Sequence, residues 1–161
     1  MNYYNEIKTE IINNEITKKV KDYSKNKSDL NTYYNVGKLL LAAGNQYGES
    51  IIKEYSIKLT EEFGSGYSQR NLRNMRQFYK VSQKWQTLSA KLSWSHYCEI
   101  LWFDDNKFQY YVKKTELNNL SIRQLRKRIK SNEYERLPES TKNKSVEQKE
   151  SDIVDFIKNP I

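Results

Sequence analysis

Residues 63–79, FGSGYSQRNLRNMRQFY, read as a glycine turn, a serine cap and a helix with two distinct faces. Gly64 and Gly66 suit the positive φ values of a sharp turn. Ser68 is placed to accept hydrogen bonds from the first free N–H groups of the helix that follows. Leu72, Met75 and Tyr79 recur at helical spacing and predict a core-facing stripe. Arg70, Arg73, Gln77 and Lys80 recur on another face of the same helix. A helix that packs along one face and presents cations along another has the pattern of a nucleic-acid recognition helix. A solvated surface helix shares that pattern.

The surrounding charge favours the first reading. Residues 1–63 hold nine Lys/Arg against nine Asp/Glu, whereas residues 64–137 hold fifteen against six. The formal net charge of +8 therefore sits in the middle of the chain. Concentrated positive charge favours an anionic partner, because neutralising phosphates releases counterions.

Working outward, the periodicity predicts an all-α, compact multi-helix domain of helix-turn-helix-like character. Ile7, Ile11, Ile12, Ile16, Val20 and Tyr23 form an apolar stripe over residues 4–24. Ser28 or Asp29 suits the cap of a second helix over about 30–43. Gly37 lies inside that helix, at a propensity cost of about 1 kcal/mol relative to alanine, and suggests close approach of another helix. Gly44 and Gly48 frame a turn before a third helix carrying Ile51, Ile52, Tyr55, Leu59 and Phe63. A buried helix is expected over 95–103, with a short strand at Ile100 to Phe103 as the competing reading. Asp104 or Asp105 opens a further helix to about residue 117. Ser121 and Gln124 make a capping box at the head of SIRQLRKRIKSNEY. Residues 1–137 are expected to form the helical domain. Residues 138–161 read as a flexible linker followed by the start of another segment, DIVDFIKNPI.

Two stretches echo one another. Ser68-Gln-Arg-Asn-Leu-Arg73 and Ser121-Ile-Arg-Gln-Leu-Arg126 share the form S-x-R-x-L-R, fifty-three residues apart. The second opens the densest cationic run in the chain: Arg123, Arg126, Lys127, Arg128 and Lys130. Like charges this close weaken an isolated helix, so an anionic partner would relieve a cost. Pairing with Glu133 and Glu135 is the bland alternative.

No catalytic, metal or cofactor constellation stands out. His96 and Cys98 lack the companions a zinc site needs and, at i, i+2 on a helix, point apart. They read as packing residues. One cysteine permits no internal disulfide, and no apolar run of about twenty residues exists to span a membrane. The N-terminus lacks the apolar core of a signal peptide. A cytoplasmic protein is the expectation.

Four motifs resemble one family in order and spacing: Tyr33-Tyr-Asn-Val-Gly-Lys38, Gly66-Tyr-Ser-x-x-Asn-Leu-x-x-Met-Arg-x-Phe-Tyr79, Leu92-Ser-Trp-Ser-His-Tyr97 and Leu120-Ser-Ile-Arg-Gln-Leu125. They resemble the N-terminal domain of the YhcG family, bacterial proteins of the PD-(D/E)XK nuclease superfamily. The resemblance implies a helical, helix-turn-helix-like domain that binds DNA or organises the protein, joined to a C-terminal nuclease domain. This chain departs from that pattern beyond the first apolar segment after the linker, where the nuclease domain is expected to be missing. The superfamily needs an acidic residue and a D/E-x-K pair on a buried strand to hold a divalent metal. Glu6/Lys8, Asp105/Lys107 and Glu147/Lys149 have the tripeptide spacing without the strand. The expectation is therefore a non-enzymatic chain that binds DNA, or RNA, through helices 68–82 and 121–132. Its contacts would come from Ser68, Gln69, Arg70, Asn71, Arg73, Gln77 and Lys80, and from Arg123, Arg126, Lys127 and Lys130. The alternative is a protein–protein module, as a homodimer or beside a nuclease domain in cis. Arg76, on the edge of the core stripe, reads as structural.

Overall fold

The computed structural model describes residues 2–20, 25–85, 88–89 and 91–142. It is all-α, and the described residues include no strand. The helices are α1 (Tyr3–Val20), α2 (Lys25–Tyr47), α3 (Ser50–Phe63), α4 (Gln69–Lys84), α5 (Trp94–Ile100), α6 (Asp105–Asn118) and α7 (Ile122–Lys130). A single 3₁₀ turn, Ser65–Tyr67, joins α3 to α4. The chain divides into two compact units, Met1–Trp94 and Ser95–Ile161.

In the first unit α1 to α4 close around Ile7, Ile11, Val36, Leu40, Ala43, Ile51, Ile52, Tyr55, Leu59, Leu72 and Met75, all buried. Burying each of the larger aliphatic side chains is worth about 1.5–3 kcal/mol. Gly37 fulfils its expected role: a β-carbon there would collide with the backbone carbonyl group of Met75 on α4. The missing side chain lets α2 and α4 come together. Trp94 covers the same packing, with its ring centroid 4.6 Å from Tyr33 and 5.4 Å from Phe78.

Several local expectations change. Ile12 and Ile16 are exposed, because α1 buries only the narrower strip through Ile7 and Ile11. The Val20 side chain and Tyr23 lie outside the described residues. Ser28 and Asp29 do not cap α2, which begins at Lys25. Their side chains serve α1 instead: Ser28 Oγ donates to Asn14 Oδ1 at 2.5 Å, and Asp29 accepts from Asn14 Nδ2 at 2.9 Å and Lys18 Nζ at 3.0 Å. Gly44 is helical, so the turn into α3 rests on Gly48, with φ of +90°. Of the two glycines before α4 only Gly64 takes a positive φ, +96°, while Gly66 sits in the 3₁₀ turn.

In the second unit α6 is buried on most sides through Phe108, Gln109, Tyr110, Tyr111, Val112 and Thr115. Asp104 caps it by accepting from Lys107 N at 3.0 Å. Tyr110 packs on Tyr134 with centroids 5.4 Å apart, and Lys107 pairs with Glu135 at 2.6 Å. Helix α5 stops at Ile100, and Leu101 to Phe103 form a turn rather than a helix end or a strand. Trp102 on that turn is 60% exposed. Residues 139–142, expected to begin the linker, form a helical turn. The rest of the expected linker and the segment DIVDFIKNPI lie outside the described residues.

Candidate nucleic-acid interface

Helix α4 starts where the sequence places it. Ser68 takes an extended conformation and its Oγ accepts from Asn71 N at 3.1 Å. Asn71 then uses both ends of its side-chain amide. Its Nδ2 donates to the Gly66 carbonyl, and its Oδ1 accepts from the Trp94 indole at 3.1 Å. The turn before the helix and the aromatic packing beneath it are thus tied to one residue. Asn71, expected as a nucleic-acid contact, spends its side-chain amide on holding the helix in place.

Below the cap, α4 sorts its residues by face. Leu72, Asn74, Met75 and Phe78 are buried. At 3.6 residues per turn, Arg70, Arg73, Gln77, Lys80 and Lys84 fall within an arc of roughly 80° on the opposite side. Arg70, Arg73, Lys80 and Lys84 are exposed and Gln77 is half-buried. No acidic residue occurs anywhere in α4. Arg70 and Lys80 make no ion pair among the described residues, and the Arg73 guanidinium meets only the Gln69 Oε1 amide oxygen, at 3.4 Å. An ordinary solvated helix neutralises such a row with carboxylates at i+3 or i+4. Here Arg70, Arg73 and Lys80 make no such ion pair among the described residues.

Arg76 stands apart from the row and is structural, as expected. It is buried to 12% exposure and donates to Glu49, at the head of α3, at 2.8 and 3.0 Å. That bond holds the Glu49 carboxyl below its ordinary pKa, with further lowering from the charges of Arg73 and Lys80.

Helix α7 repeats the plan in the second unit. Ser121 Oγ accepts from Gln124 N at 3.1 Å while Gln124 Oε1 accepts from Ser121 N at 2.8 Å, a complete capping box. Leu125 is fully buried, like Leu72 in α4. Arg123, Arg126, Lys127 and Lys130 are exposed over about 100° of arc, again with no acidic residue in the helix. Arg126 donates to Glu99 of α5 at 2.6 Å, and Arg128 turns inward to Glu133 at 3.4 Å. Glu135, the other carboxylate expected to quench this run, is taken by Lys107. Arg123, Lys127 and Lys130 make no ion pair among the described residues.

The four shared positions of the S-x-R-x-L-R echo are therefore used alike: a capping serine, an exposed arginine, a buried leucine and a second exposed arginine. Each unit carries one such helix. The family model of the DUF1016 N-terminal domain matches residues 5–136, spanning both. The chain belongs to the DUF1016 N-terminal domain family. This is the family whose motifs appear in the sequence under the name YhcG. No curated protein and no solved structure matches the chain.

Sequence reasoning missed three features of this DUF1016 domain. Lys84 extends the α4 row and was legible from its spacing. The pairings of Glu49 with Arg76 and of Glu99 with Arg126 each span 27 residues, beyond any local pattern. His96 Nε2 lies 2.8 Å from the Leu120 carbonyl oxygen, and Cys98 is half-buried. Among the described residues no group of three or more His, Cys, Asp and Glu could hold a metal ion. Glu6/Lys8 and Asp105/Lys107 lie on α1 and α6, and Glu147/Lys149 falls outside the described residues. No described helix is long and apolar enough to cross a membrane.

Proposed function

We propose that this DUF1016 domain is a cytoplasmic nucleic-acid-binding module, directed at duplex DNA, whose contacts come from the outer faces of α4 and α7. The observation that carries the reading is the absence of any carboxylate in either helix, beside rows of exposed Arg and Lys. Keeping like charges together costs helix stability, and phosphate contacts would repay that cost. Arg70, Arg73, Lys80, Arg123, Lys127 and Lys130 would bind phosphates. Gln69 and Gln77 lie along the same helix as candidates for base edges. Helix α3, the 3₁₀ turn and α4 would then act as a helix-turn-helix-like unit, with α4 as its recognition helix. The family resemblance adds that such a module targets a nuclease-like domain to DNA, with this chain supplying no catalysis itself.

The test is duplex binding by fluorescence anisotropy with the combined variant Arg70→Glu, Arg73→Glu. The expected result is a loss of about tenfold or more in affinity at an unchanged melting temperature, since both side chains are exposed. Unchanged affinity would overturn the reading.

A second reading, assembly with another protein or a second copy, rests on Trp102 and Leu117, which are 60% and 79% exposed. Large apolar side chains at such exposure are candidates for a partner surface. Light scattering decides it: a dimer that Trp102→Ala dissociates, with no response to DNA, would favour assembly.

A further inference from the structure

Each cationic helix is flanked by one carboxylate supplied from an earlier element of its own unit. Glu49 reaches Arg76 of α4 at 2.8 Å, and Glu99 reaches Arg126 of α7 at 2.6 Å. Both pairs span 27 residues. Glu49 is 70% exposed and lies in the field of Arg73 and Lys80 as well as Arg76, so its charge stands at the border of the α4 row. Arg126 is 61% exposed and belongs to the α7 row, so Glu99 withdraws one of that row's own cations.

We infer that Glu49 and Glu99 are affinity-limiting and orienting residues: each repels phosphate from one edge of its helix, and Glu99 also keeps Arg126 from the nucleic acid. The inference rests on the nucleic-acid reading above. A carboxylate beside a phosphate-binding row does two things. It places like charge against an approaching phosphate, which lowers affinity and slows association. On α7 it also occupies the Arg126 guanidinium, which would otherwise neutralise a phosphate and release its counterion. On α4 the edge left open is the Arg70 side, because Arg76 and Glu49 lie on the other border of the arc. A duplex would therefore meet α4 from the Arg70 side.

Two alternatives give opposite outcomes. If these pairs only pin neighbouring elements, neutralising the acid weakens the fold and leaves binding unchanged or poorer. If net charge alone matters, neutralising any exposed acid has the same effect. Glu54 provides that control. It is 55% exposed and paired with Lys58, whose ammonium lies over the Tyr4 ring on the α1 side of α3.

The experiment measures duplex affinity of the full chain over a range of salt concentrations for the wild type, Glu49→Gln, Glu99→Gln and Glu54→Gln. Glutamine keeps an acceptor for each arginine and removes the charge. Glu49→Gln and Glu99→Gln should each bind about three- to tenfold more tightly, and for Glu99→Gln the slope of log K against log salt should steepen by up to about 0.9 as Arg126 becomes available. Glu54→Gln should stay within about twofold of the wild type, on the same electrostatic argument. Equal or weaker binding by Glu49→Gln and Glu99→Gln, with the wild type binding normally, overturns this inference alone. An equal gain from Glu54→Gln also overturns it. Failure of the wild type to bind duplex at all overturns the underlying reading and this inference with it.

Discussion

Gly37 of α2 lies against the carbonyl group of Met75 on α4, with no room between them for a β-carbon. Alanine is the better helix former by about 1 kcal/mol, so an isolated α2 would gain from Gly37→Ala. In the folded protein the added methyl group meets backbone, which cannot swing aside as a side chain does. Overpacking of this kind costs about 1–3 kcal/mol. Gly37→Ala should therefore lower stability, seen as a lower urea midpoint at an unchanged m-value. A rise in midpoint would show that the two helices have slack.

Asn71 joins the turn before α4 to the Trp94 indole. Asn71→Ala leaves the indole N–H and the Gly66 carbonyl without their partners, at a cost of about 1–3 kcal/mol. Asn71→Asp keeps the acceptor for Trp94 but sets a carboxylate oxygen against the Gly66 carbonyl in place of the donor, so its loss falls on the turn alone and should be the milder change. Thermal denaturation ranks the two. Equal loss from both variants would place the whole effect in the turn.

The sequence carried the parts of this architecture that depend on near neighbours. Ser68, Asp104 and the Ser121–Gln124 box cap their helices as read, because a cap joins a side chain to backbone within three residues. Leu72, Met75 and Leu125 were legible because 3.6-residue spacing marks a buried face. What failed depends on distant partners. Ile12 and Ile16 extend an apolar stripe that no described element covers fully. Ser28 and Asp29 have the chemistry of caps, and only the packing of α1 on α2 turns them toward Asn14 and Lys18. The α4 and α7 rows could be read as cationic, but whether their charges were neutralised could not. That answer depended on where Glu49 and Glu135 went, and both pair far along the chain, with Arg76 and Lys107.

Tyr4 sets an alkaline limit on the first unit. Burial raises its pKa first, the Glu62 carboxylate adds to the effect, and the result is about 12 against an ordinary 10.0. The folded state therefore holds the phenol proton more tightly than the unfolded chain does. Its contribution is fully present below pH 10 and is lost as the pH rises toward 12. Tyr4→Phe should flatten that part of the stability profile, measured by urea unfolding across the alkaline range. An unchanged alkaline profile in Tyr4→Phe would assign the loss to other tyrosines.

The central claim is that exposed cations of α4 and α7 bind phosphate, and the salt dependence of duplex affinity tests it most directly. Each neutralised phosphate contributes about −0.9 to the slope of log K against log salt. Six cations serve as contacts in this account: Arg70, Arg73, Lys80, Arg123, Lys127 and Lys130. If most of them engage, the slope should be on the order of −4 to −6. Reversing Arg70 and Arg73 should make it shallower by about 2. A slope near zero, or one that the reversal leaves untouched, would contradict the account.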